Sequence, residues 1–153
     1  MGMTADVFRV CCSVSDPCPV HRNAQHQGVT PKMRKPTKAE EKAAYEAVTT
    51  RDGGKCVRCG WYGGTQRDHR QNRSQGGATT VENLQLLCLP CHTWKGANPS
   101  AAVLEGFAVP GWARPELWPA WRYDVHSWVL YERDGWTRIT ETVADLLMHG
   151  EVD

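Results

Sequence analysis

Two cysteine pairs, Cys56-Val57-Arg58-Cys59 and Cys88-Leu89-Pro90-Cys91, constrain this chain more than any other feature. A Cys-x-x-Cys turn places two thiolates on one ion with little strain. Two such turns complete the tetrahedron of sulfur that zinc prefers, at about 2.3 Å per ligand. The clamp would close a loop in which 28 residues lie between Cys59 and Cys88. The rest of the composition makes such a clamp useful, because the chain has two Phe against 14 Gly, nine Pro and seven Trp. A core of that kind commonly leans on a metal or on disulfides. No basic segment followed by an apolar run marks the N-terminus, so a reducing cytoplasm is the expected location, where cysteines serve as ligands rather than disulfides. No stretch approaches the roughly 18 apolar residues of a membrane helix. Cys88 to His92 also fits the haem-attachment spacing C-x-x-C-H, but that reading leaves Cys56 and Cys59 without a role.

The clamp encloses an Asp68-His69 pair, and His92 directly follows its last cysteine. This combination suits phosphodiester hydrolysis. That reaction needs a base to prepare water and a cation to offset charge on the phosphate and the departing oxygen. An imidazole titrating near 6.5 can be the base at neutral pH. Asp68 and His92 could together hold one divalent ion. The charge pattern agrees: residues 51–95 carry seven Lys or Arg against three Asp or Glu, whereas residues 96–153 carry four against nine. A basic motif region suits a polyanionic partner.

Three segments are expected. Residues 1–36 read as a flexible basic arm. Residues 37–100 hold the motif. Thr37 and Glu40 stand three apart, as a capping box requires, and open a helix that Gly53-Gly54 ends. Short strands are expected at 65–70 and 83–87, with a loop bending at Gly76-Gly77 between them. A helix follows with Pro90 in its first turn, carrying Cys91, His92 and Lys95. Residues 101–153 form a Trp- and Pro-rich acidic extension. Its Asp134-Gly135 lies between two β-rich runs, a hairpin signal, and a last helix is expected over 142–149.

The ordered run from Cys56-x-x-Cys59 through Asp68-His69, Arg73-Ser74-x-Gly76-Gly77 and Asn83-Leu84-Gln85-x-Leu87 to Cys88-x-x-Cys91-His92-x-x-Lys95 resembles the HNH endonucleases. It looks most like their small zinc-stabilised phage and bacterial members. The resemblance covers roughly residues 50–98. It implies an α+β fold with a ββα-metal (His-Me finger) core, a four-cysteine structural zinc site and one catalytic divalent cation, Mg2+ or Mn2+. It implies double-stranded DNA as substrate, cut to a 5′-phosphate and a 3′-hydroxyl. Carried over by position, His69 would be the general base, and Asp68 and His92 the ligands of the catalytic ion. Asn83 would brace the loop that orients His69, and Cys56, Cys59, Cys88 and Cys91 would hold zinc. Arg67, Arg70, Gln71 and Asn72 stand where the family is often apolar, and Gly96 follows Lys95 where Thr is common. Arg67, Arg70, Arg73 and Lys95 are expected to contact DNA phosphate.

Outside that core, Cys11, Cys12, Cys18 and His21 form a candidate second zinc site. Lys32, Arg34, Lys35 and Lys38 could track a DNA backbone. The Trp-rich extension is expected to pack on the core or to dock a protein partner, for instance in phage DNA processing or packaging. The rival reading is a noncatalytic zinc module that binds DNA or protein and needs neither Asp68 nor His69.

Overall fold

The structure, a computed structural model, describes residues 34–63 and 66–150. The first helix among the described residues, α1 (Lys38–Asp52), starts where the sequence says it should. Thr37 accepts a hydrogen bond from the Glu40 amide, and the Glu40 carboxylate accepts one from the Thr37 amide. Gly53 ends the helix in the left-handed region at φ 64°, which a residue without Cβ adopts at little cost.

Strands β1 (Gln66–His69) and β2 (Leu84–Leu87) pair antiparallel, Asp68 opposite Gln85 and His69 opposite Leu84. Successive strand residues face opposite sides, so this short ribbon separates two environments. On one side Leu84 packs with Ala44 and Val48 of α1. On the other, Leu87 joins Cys56, Val57, Cys88, Cys91, Ala102 and Phe107. All four residues of β2 are buried. Helix α2 (Leu89–Ala97) follows at once, with Pro90 in its first turn, so the chain runs strand, strand, helix through the motif.

The loop between the strands is closed by Gly77. A Cβ there would lie 1.9 Å from the Gln71 carbonyl oxygen, so no other residue fits without moving the backbone. The Gly77 amide donates to the Asn72 carbonyl across the same closure.

The C-terminal part adds α3 (Pro99–Leu104), β3 (Ala120–Arg122), β4 (Ser127–Glu132), β5 (Gly135–Ile139) and α4 (Glu141–His149). Strands β3, β4 and β5 form an antiparallel meander. The expected Asp134-Gly135 hairpin joins β4 to β5, and Thr140 caps α4. Sequence reading did not anticipate α3 or β3, and β3 is only three residues long directly after Pro119. This C-terminal part packs on the motif region. The Val109 amide donates to the Arg70 carbonyl, and the Tyr123 amide donates to the Val57 carbonyl. Met148 of α4 packs with Val109 and Trp118. From Lys35 onward the chain forms one compact unit. Among the described residues no helix is long and apolar enough to cross a membrane.

Candidate active site

The four cysteines of the clamp converge. Their sulfur atoms all lie within 4.8 Å of one another. Cys59 and Cys88 Sγ are 3.7 Å apart, far beyond a disulfide bond. A tetrahedron with zinc–sulfur bonds of about 2.3 Å has edges of about 3.8 Å, so this spacing fits a zinc ion. The first turn is shaped by its backbone: the Cys56 amide donates to the Trp61 carbonyl and the Gly60 amide to the Cys56 carbonyl. The Val57 amide donates to the Leu86 carbonyl, which ties this turn to β2. Burial and the neighbouring sulfurs push the Cys59 and Cys91 thiols above their usual range. Crowded thiols of this kind resist ionisation together unless a cation sits among them. Arg58 adds positive charge, with Nη1 3.7 Å from Cys91 Sγ and its guanidinium 3.5 Å over the Trp94 ring.

Asp68 lies on the α2 side of the ribbon. Its Oδ2 accepts from Lys95 Nζ at 2.6 Å and from Gln85 Nε2 at 2.8 Å. Its Oδ1 faces His92 Nε2 at 3.3 Å. The clamp positions this group, because Cys91 immediately precedes His92, and Lys95 follows one turn later on the same helix face. Asp68 is 8% exposed and His92 is 46% exposed, so the pair is rooted in the protein and open on one side.

His69 lies on the opposite face, toward α1. Its Nε2 is 3.0 Å from Thr79 Oγ1, and Arg73 Nε lies 3.4 Å from the same nitrogen. Arg73 is held in turn by Glu41 at 2.6 Å and by the Tyr45 hydroxyl at 3.2 Å, both on α1. Burial, and next the Arg73 charge, hold the His69 imidazole below its ordinary value of 6.5. It is therefore neutral at neutral pH and able to accept a proton. Asn83 is fully buried behind this loop. Its Oδ1 accepts from the Gln71 amide at 2.7 Å, and its Nδ2 donates to the Gln71 and Ala78 carbonyls. Asn83 thus pins both ends of the segment that carries Thr79 to His69.

The four expected DNA contacts divide. Arg67 and Arg73 are exposed. Arg70 is corrected: it is 1% exposed, with its guanidinium spent on the carbonyls of Glu82, Gly106, Pro115, Trp118 and Pro119. Burial lowers its pKa to about 10, which still leaves it charged at neutral pH. Arg70 is a bracket that fastens the C-terminal segment, because that segment closes over the end of β1. Lys95 is corrected likewise, being buried against Asp68 and the His69 carbonyl rather than turned outward. The candidate cluster of Cys11, Cys12, Cys18 and His21 lies outside the described residues, as does Lys32.

Sequence reading missed Thr79, Glu41 and Tyr45, and assigned no role to Gln85. Thr79 carries no signal in a polar loop. Glu41 and Tyr45 share a helix face at i and i+4, but nothing local shows that this face meets Arg73. Gln85 is the exception, because a lone amide within Leu84-Gln85-Leu86-Leu87 advertises a buried polar partner.

No match was found among curated proteins or among solved structures. Family comparison matches residues 56–98 to the HNH endonucleases, a stretch that begins at the first clamp cysteine and ends just after α2. The cysteine clamp, the strand–strand–helix order and the Asp68–His92 pair all lie inside that stretch, so the match to the HNH endonuclease family covers the whole of the candidate site's frame.

Proposed function

We propose that this chain is a metal-dependent DNA endonuclease that cuts a phosphodiester bond to a 5′-phosphate and a 3′-hydroxyl. The observation that carries the reading is the pair Asp68 Oδ1 and His92 Nε2, 3.3 Å apart and open on one side, with His69 next to Asp68 in the same strand. A carboxylate oxygen is an ordinary donor for Mg2+ or Mn2+, and an imidazole nitrogen suits a transition metal such as Mn2+ better than Mg2+. The bound ion would supply charge neutralisation at the phosphate and at the departing 3′-oxygen. His69 takes the proton from the attacking water at Nδ1, in the tautomer whose Nε2–H donates to Thr79 Oγ1 and so fixes the ring. Arg67 and Arg73, both exposed, are read as contacts to DNA phosphate. Cys56, Cys59, Cys88 and Cys91 hold zinc and carry no step; they fix the start of α2, and with it His92.

One such site cuts one strand, so nicking is the expected product of a single chain. The reading extends to the small zinc-stabilised phage and bacterial subtype, working in a cytoplasm on DNA to be processed or packaged. In this organisation residues 37–100 are the nuclease, residues 1–36 a basic arm, and residues 101–153 an extension available to a protein partner. The test is conversion of supercoiled plasmid to open circles by wild type and His69→Ala with Mg2+ or Mn2+. A general base contributes roughly 10²–10⁴-fold, so the variant should lose nicking by that factor while keeping zinc. A folded, zinc-loaded wild type that fails to nick with either cation would instead support a noncatalytic zinc module.

A further inference from the structure

Asp68 is an asymmetric carboxylate. Its two oxygens have different tasks, and the difference is built by two residues to which sequence reading gave other roles or none. Gln85 stands directly across the ribbon from Asp68. Its Nε2 donates to Asp68 Oδ2 at 2.8 Å and to the Phe107 carbonyl at 2.7 Å. The opposite amide orientation would set an oxygen against both acceptors, so the donor must face Asp68. Lys95 completes the arrangement. Its ammonium donates to the same Oδ2 at 2.6 Å and to the His69 carbonyl at 2.7 Å, and its side chain is 10% exposed. Oδ2 therefore holds two short donors, while among the described residues Oδ1 faces the half-exposed His92.

We propose that Lys95 is the resident counter-ion of the catalytic metal site. With Gln85 it occupies Oδ2, confines a divalent ion to Oδ1 and His92 Nε2, and keeps the ion's affinity low. This rests on the reading of Asp68 and His92 as ligands of the catalytic ion. Two physical effects support it. A carboxylate whose second oxygen is taken binds through one oxygen only. A fixed ammonium on the same carboxylate repels a divalent cation, and in a partly buried site water screens that repulsion weakly. A site with two protein donors leaves most of an octahedral shell to water and phosphate, as suits an ion that must also bind substrate.

The experiment is a Mn2+ titration of the zinc-loaded full chain, followed by electron paramagnetic resonance, on wild type, His92→Ala, Lys95→Met and Lys95→Arg. Wild type should bind one Mn2+ weakly, and His92→Ala should abolish that binding. Lys95→Met keeps the aliphatic stem and removes the charge, so it should bind Mn2+ about tenfold more tightly or better. Lys95→Arg keeps the charge and should stay near wild type. Lys95→Gln, which can still donate to the His69 carbonyl, gives the same comparison if Met disturbs the fold. Unchanged or weaker binding in a folded charge-removing variant overturns the counter-ion role while leaving the site intact. Absence of any His92-dependent Mn2+ binding in wild type overturns the site itself, and the role of Lys95 with it.

Discussion

Two buried aspartates mark two regions of this molecule, and they are finished differently. Asp52, at the end of α1, has both oxygens satisfied. Arg51 grips it through Nε and Nη2, Arg122 Nη1 donates to Oδ1 at 2.7 Å, and the Leu86 amide donates to Oδ2 at 3.0 Å. Its side chain is 0% exposed, and Arg51 and Arg122 stack about the Tyr131 ring. Asp68 has one oxygen equally well satisfied and the other turned to an exposed histidine. The first carboxylate is a joint, locking α1, β2 and β3 together across the chain. The second is half joint and half open site. The difference teaches where chemistry can occur: at the buried charge whose partners stop one short.

The largest expected effect comes from removing the frame around Asp68. Structural zinc in small domains is worth on the order of 10 kcal/mol. Chelating it, or replacing Cys56 by Ser, should release α2 from the ribbon and abolish nicking, followed by zinc content and far-ultraviolet circular dichroism together. Retained activity in a zinc-free protein would show that the clamp does not hold the site. Next comes the joint itself. Asp52→Ala leaves Arg51 buried without a carboxylate and Arg122 with Asp124 alone, a loss of about 3–5 kcal/mol, measurable by urea unfolding. His92→Ala, at a half-exposed position, should cost no more than about 0.5 kcal/mol in the same assay.

A smaller change sharpens the contrast by striking the loop between the two regions. Gly77→Ala forces the backbone away from Gln71. It should cost about 1–3 kcal/mol, and should lower activity further by displacing Thr79 from His69. Equal stability with full activity would remove the loop from the account. The smallest effect lies at the edge of the joint. Burial would raise the Asp124 carboxyl, but the hydrogen bonds and charge of Arg122 more than offset this and hold it below its ordinary value. Its contribution is therefore full above about pH 4 and fades as pH falls through the lower folded-state value. An Asp124→Asn variant should be slightly less stable than wild type at neutral pH, with the gap closing in acid. A gap that widened in acid would reverse the sign assigned here.

How much of this was legible in the sequence follows the same division. Local signals were readable. Thr37 with Glu40 and Gly53 bounded α1, Pro90 placed the start of α2, and Asp134-Gly135 placed the hairpin. The clamp was readable because only four cysteines at that spacing can meet on one ion. Partners chosen over long sequence distance were not readable. Arg122 meets Asp52 across 70 positions, and Arg70 meets Pro119 across 49. An arginine beside a motif looks the same in sequence whether it faces phosphate or five carbonyls. Burial decides, and burial is set by the C-terminal segment that closes over β1. Lys95 misled for the same reason, since its spacing from His92 places both on one helix face but does not say what lies opposite.

The most direct measurement of the central claim is plasmid nicking in Mn2+ by wild type and His92→Ala, with the unfolding midpoint of each recorded beside it. The account predicts that His92→Ala keeps the midpoint and loses nicking by about 10²-fold or more. Full nicking by a folded His92→Ala protein would contradict it, because the open oxygen of Asp68 would then not be the place where the catalytic ion is held.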